Sequence, residues 1–155
     1  MNKAPFALRK FLIVFSFSLL LVACKKVALN NNVISKNNIV MEGSQEVPAK
    51  VTTATGTTDI AYNKITHVLV YAIKWNNLSG PPTGMHFHSP CLRGSTAPVI
   101  VPITGFAAAT SGSISGTVTL NMTTQKEDEL LDGKWYSNIH TSANPGGEIR
   151  GQIEF

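Results

Sequence analysis

Beyond about residue 38 the chain is built from short segments whose apolar residues fall on alternate positions, with Gly, Pro and Asn turn signals every 8–12 residues or so. A period of two suits a strand with one buried face and leaves little room for helix. Ser113 to Met122 shows it plainly: Ile114, Val118, Leu120 and Met122 share one face, while Ser115, Thr117, Thr119 and Asn121 share the other. Ile65 to Trp75 is rich in β-branched and aromatic residues, and its face would carry His67 with Ile65, Leu69 and Tyr71. Further strands are expected over Thr55–Tyr62, Met85–His88, Ala97–Ile103, Lys134–Thr141 and Glu148–Phe155. Asn38 to Glu42 is expected as an edge strand entering the Gly43-Ser44 turn. One short helix interrupts the pattern. Thr124-Gln125-Lys126-Glu127 has capping-box spacing, Leu130 and Leu131 give it an apolar contact, and Gly133 ends it. The expectation is a single all-β domain over residues 39–155, a β-sandwich with one short helix.

The N-terminus has a different grammar. Lys3, Arg9 and Lys10 precede the apolar run Phe11 to Val22, which is too short to span a bilayer core as a helix. It ends in Leu21-Val22-Ala23-Cys24, a match to the bacterial lipobox. Residues 1–23 are therefore expected to be a lipoprotein signal peptide, with Cys24 acylated. Several acyl chains, at roughly 0.8 kcal/mol per buried CH₂, would hold the protein firmly on a membrane. The Asn-rich stretch 24–38 is expected to be a flexible tether. Lys25 and Lys26 follow the cysteine with no acidic residue beside them, which favours the outer membrane facing the periplasm as the destination.

Removing the leader changes the charge argument. The chain has 13 Lys and Arg against 9 Asp and Glu, and three of the cations lie in the leader, leaving 10 against 9. No basic stripe with interleaved aromatics remains, so nucleic acid is not an expected partner. The membrane, reached through Cys24, is. With Cys24 acylated, Cys91 has no disulfide partner; a lone thiol in an oxidising envelope is expected to be buried and inert, or to act as a metal ligand.

Parity brings the histidines together. In Met85-His86-Phe87-His88 the apolar residues take one face and His86 and His88 the other. From Trp135 to His140, Trp135, Ser137 and Ile139 share a face, while Tyr136, Asn138 and His140 share its opposite. His86, His88 and His140 would therefore meet on one polar face if the two strands are neighbours. Three neutral imidazoles suit copper or zinc, and Cys91, three residues after His88, would bias such a site toward copper. The competing reading is three histidines bonded to backbone or water on a polar sheet face. Glu148 and Arg150 alternate onto one face of the last strand. Arg150 is expected to pair with Glu42, Glu46 or Glu148 and fasten that strand to the opening turn, or else to guide anions beside the histidines. No Gly-x-Ser-x-Gly, His-Glu-x-x-His, phosphate loop or Cys-x-x-Cys occurs.

These words also carry a family resemblance. The His-x-His strand, Tyr136-Ser137-Asn138-Ile139-His140-Thr141 and the closing Pro145-Gly146-Gly147-Glu148-Ile149-Arg150-Gly151-Gln152 resemble a CHRD domain, the chordin-type module of bacterial exported proteins. Gly43-Ser44-Gln45-Glu46-Val47-Pro48 resembles its opening turn, and Thr55-Gly56-Thr57 with Tyr62 its second strand. Ser89-Pro90-Cys91-Leu92-Arg93-Gly94 departs from the small Gly/Pro/Ala-rich loop usual there. The resemblance implies a Greek-key β-sandwich, immunoglobulin-like or superoxide-dismutase-like. It implies far less about activity. The His-x-His strand is also distantly similar to copper–zinc superoxide dismutase, but the bridging histidine, the zinc-loop ligands and the disulfide of that enzyme have no counterpart. The expected function is a membrane-anchored, non-catalytic binding or structural module; the alternatives are a copper- or zinc-binding envelope protein and a dismutase-like redox enzyme.

Overall fold

The computed structural model describes residues 32–155. The signal peptide, Cys24 and most of the tether expected above lie outside the described residues. Eight strands follow in chain order: β1 (Val33–Glu42), β2 (Thr55–Asn63), β3 (Val68–Asn76), β4 (Pro82–His88), β5 (Val99–Ile103), β6 (Gly112–Thr119), β7 (Trp135–Thr141) and β8 (Ile149–Ile153). A helix, α1 (Thr124–Leu131), lies between β6 and β7, and a 3₁₀ turn over Gly43–Gln45 follows β1. The domain is all-β with one short helix.

All eight strands are antiparallel and belong to one sheet in the order β5-β4-β7-β8-β1-β2-β3-β6. The sheet curls until its two halves face each other. Tyr71 on β3 meets Phe87 on β4 edge to face at 5.4 Å, and the hydroxyls of Thr58 on β2 and Ser137 on β7 are 2.8 Å apart. The layers of a sandwich are thus two halves of a continuous sheet, joined where Glu42 of β1 pairs with Arg150 of β8. The chain passes between the halves so that β6 returns beside β3 and β7 beside β4, in Greek-key fashion. Met41, Ile60, Leu69, Trp75, Met85, Phe87 and Ile139 fill the space between them.

Three expectations are corrected. β1 lies inside the sheet, between β8 and β2, and is not an edge. It also begins at Val33, within the segment assigned to the tether. The Asn-rich stretch is locally polar because the register shifts between Lys36 and Ile39: Asn38 takes a left-handed φ of 56° and donates its N–H to Asp59 Oδ1 at 2.7 Å. Short polar side chains tolerate that backbone, so the composition of a bulge resembles that of a linker. Third, His67 is no strand residue. It sits in the turn before β3 at φ 54°, with its ring stacked near Tyr62, and Ile65 is exposed.

The helix starts one residue before the expected cap box: Thr123 is the N-cap, accepting from the Lys126 N–H at 3.3 Å. Leu130 is fully buried, Tyr62 donates to Glu127 at 3.0 Å, and Gly133 stops the chain at φ 73°. Among the described residues no helix is long and apolar enough to cross a membrane.

Candidate functional site

The outer face of β4, β7 and β8 is a grid set by register. His88, Tyr136 and Gln152 form one row across the three strands, and His86, Asn138 and Arg150 form the next. Gly84 stands opposite His140. Such a face of an antiparallel sheet ordinarily meets water. Here the segment from Ser89 to Pro98 folds back over it, and Glu46 closes one side. Tyr136, Asn138, Arg150 and Gln152 are each at most 3% exposed, so β7 is buried on both faces.

The histidines occupy the open end of this polar layer. One nitrogen from each ring lies within 4.8 Å of the other two, and no cysteine or carboxylate belongs to the group. His86 Nδ1 is 3.1 Å from His140 Nε2. The outer nitrogens are held by backbone. His88 Nδ1 donates to the Ala97 carbonyl and His140 Nδ1 to the Pro145 carbonyl, both at 2.9 Å. A carbonyl can only accept, so the proton of each neutral ring sits on Nδ1 and the lone pair of each Nε2 points inward. Gly84 makes room for this: a Cβ there would lie 3.0 Å from His86 Cε1 and 3.6 Å from His140 Cδ2.

Electrostatics favour the neutral form of His86 and His88. Burial lowers the pKa of His86, and the neighbouring His140 and His88 lower it further. Burial also lowers that of His88, outweighing the opposite pull of the Ala97 carbonyl and Asn138. Neutral imidazole is the form that binds metal.

Behind the histidines lies a stack. The His88 and Tyr136 rings are parallel to within 3° with centroids 4.5 Å apart, and the Arg150 guanidinium sits 3.6 Å from the Tyr136 centroid. Arg150 is 1% exposed and donates to Ser95 O and to Gln152 Oε1, both at 2.7 Å. Gln152 in turn donates to the carbonyls of Cys91 and Gly133, both at 2.8 Å. This clasp ties β8 to the folded-back loop.

The expected carboxylate partners of Arg150 are accordingly absent. Among the described residues it makes no ion pair with Glu42, Glu46 or Glu148. Glu148 is buried in a nest of hydroxyls: Thr52, Ser79 and Thr141 donate to it at 2.6–2.8 Å, as does the Ser79 N–H at 2.9 Å. Burial alone would raise its pKa, yet those donors hold it below the ordinary carboxylate range. Glu46 behaves in the opposite way. Its carboxylate packs against Gly147, which adopts φ 123° and where a Cβ would come 2.6 Å from Cδ. Its Oε1 is buried with no hydrogen bond, and burial pushes its pKa up to about 7 against the pull of Arg150 and of the Asn138 amide.

Cys91 does not join the histidines. It is buried, its thiol facing Ser95 O at 3.2 Å and the Arg150 guanidinium at 3.7 Å. Proximity in sequence misleads here, because the loop after Ser89 carries the thiol to the Arg150 guanidinium and not to the imidazoles.

Sequence reasoning missed the burial of Tyr136 and Gln152 and the part played by Gly84. One signal existed for the first two: a conformationally restricted connection, with Pro90 and Pro98, long enough to reach back across the face.

Comparison with curated proteins finds no match, and comparison with solved structures finds none either. A family model described as "CHRD domain" matches residues 38–153, from the bulge in β1 to the end of β8. That span contains β2 to β8 whole, the second half of β1 and every residue of the polar layer, and the chain belongs to the CHRD domain family.

Proposed function

We propose that this protein is a metal-binding module of the bacterial envelope, lipid-anchored through Cys24, that holds one copper or zinc ion on His86, His88 and His140. A single observation carries the reading: three imidazoles converge within 4.8 Å while backbone carbonyls fix two of them with Nε2 inward. A surface histidine cluster without a ligand has no need of such orientation, since water satisfies either ring nitrogen. Neutral imidazole donors suit zinc and copper over magnesium or calcium. The module acts by holding the ion and not by turning over a substrate. The address rests on the leader, Leu21-Val22-Ala23-Cys24 behind a basic and apolar segment.

The test uses protein purified from membranes in detergent without an affinity tag. Stripped of metal and titrated with Zn²⁺ and Cu²⁺, it should bind one ion per chain tightly, and a His86→Ala/His88→Ala variant should lose that site. Equal, weak binding by both proteins would refute the reading. The anchor is tested separately: a fatty-acid analogue should label the wild type and not Cys24→Ser.

A further inference from the structure

We propose that Asn138 Oδ1 is the fourth ligand of this ion and closes the site against solvent; the inference rests on the three-histidine reading. In the β4–β7 register Asn138 lies directly opposite His86, beside His140 on its own strand. Its Oδ1 is 3.0 Å from His88 Nε2 and 3.1 Å from His140 Nε2.

Those contacts pair acceptors with acceptors. Because the Ala97 and Pro145 carbonyls take the Nδ1 protons, both Nε2 atoms present lone pairs to a carbonyl oxygen. His86 Nδ1–H can satisfy His140 Nε2 at 3.1 Å. Nothing satisfies the facing pair of His88 Nε2 and Asn138 Oδ1, both on residues at most 7% exposed. A cation among the three nitrogens and the oxygen removes the conflict.

Turning the Asn138 amide over would also remove it, by presenting N–H groups to both rings. An amide so turned offers the ion no oxygen, and the bound ion would then carry a water in its place.

The spacing supports a first-sphere role. A tetrahedral ion with bonds of about 2.0–2.1 Å keeps its donors roughly 3.3–3.4 Å apart. Three donor contacts, at 3.0, 3.1 and 3.1 Å, lie close to that spacing, and the longer separations among the histidine nitrogens, up to 4.8 Å, must shorten as the rings turn onto the ion. Four protein donors make a closed site, the arrangement of ions that are stored or that stiffen a fold, whereas catalytic ions keep an open position.

Solvent-proton relaxation of the Cu²⁺-loaded protein tests this, because a water bound to Cu²⁺ speeds relaxation and a closed site does not. The wild type should show outer-sphere relaxation only. Asn138→Ala should admit a water and raise relaxation severalfold, with affinity lower by about tenfold or more. Asn138→Asp should keep the site closed. Fast relaxation in the wild type, with the ion still lost on His86→Ala/His88→Ala, would overturn the Asn138 assignment and leave the three histidines standing. A wild type that binds no Cu²⁺ would overturn both. The wild-type measurement is decisive even where a variant fails to fold.

Discussion

Arg150 offers the most quantitative test of how the polar layer is built. Its guanidinium is 1% exposed, donates twice at 2.7 Å and lies 3.6 Å over Tyr136. Hydrogen bonds from a charged donor contribute about 1.5–3 kcal/mol each, and a desolvated cation–π contact about 2 kcal/mol. Those figures do not add, because Gln152 can turn and the Ser95 carbonyl can relax toward solvent with its loop. Methionine would also restore part of the packing of the arginine stem and remove the cost of burying a charge. For Arg150→Met the net expectation is a loss of about 3–4 kcal/mol. Arg150→Lys keeps the charge and surrenders the fork, and should lose about 2 kcal/mol. Urea unfolding of metal-free protein, followed by tryptophan fluorescence, reads both through the midpoint at constant slope. A change under about 1 kcal/mol for Arg150→Met would refute the clasp, since exposed substitutions routinely stay within that range.

Two further outcomes follow from the same geometry. Gly84→Ala should displace the His86 ring, whose Cε1 would be 3.0 Å from the new Cβ, and weaken Zn²⁺ binding by about tenfold in a direct titration; unchanged affinity would mean that the rings do not depend on that gap. Glu46 should make stability depend on pH. Its folded pKa, near 7, exceeds the ordinary 4.5, so folding favours the protonated carboxyl, and the stability it confers is complete below about pH 4.5 and lost as pH rises through 7. Between pH 5 and pH 8 the wild type should therefore lose up to about 3 kcal/mol relative to Glu46→Gln in metal-free urea unfolding; a constant difference would contradict this.

The all-β architecture was legible because alternation is dictated locally: a strand buried on one face must repeat every two residues, as Ser113 to Met122 does. The shared face of His86, His88 and His140 was legible for the same reason, once Met85, Phe87 and Ile139 mark the inner positions. What lay beyond reach depends on contacts between distant segments. Tyr136, Asn138, Arg150 and Gln152 look like solvent-facing residues until Ser89–Pro98 covers them, and no periodicity announces that a loop will double back. Arg150 suggested an ion pair because carboxylates were near in sequence and in the opening turn, yet a loop carbonyl and Gln152 hold it. Cys91 seemed a ligand by its distance along the chain and was removed by the direction of that loop. The Asn37-Asn38 bulge looked like the end of a linker because backbone strain and disorder select the same residues.

X-ray absorption at the metal edge of the zinc- or copper-loaded protein reads the ligands of the three-histidine site themselves. Backscattering should show three imidazole nitrogens at about 2.0–2.1 Å, with the outer-shell pattern of their rings, and one oxygen donor completing the sphere. A spectrum dominated by oxygen ligands, or by sulfur from Cys91, would contradict the three-histidine site.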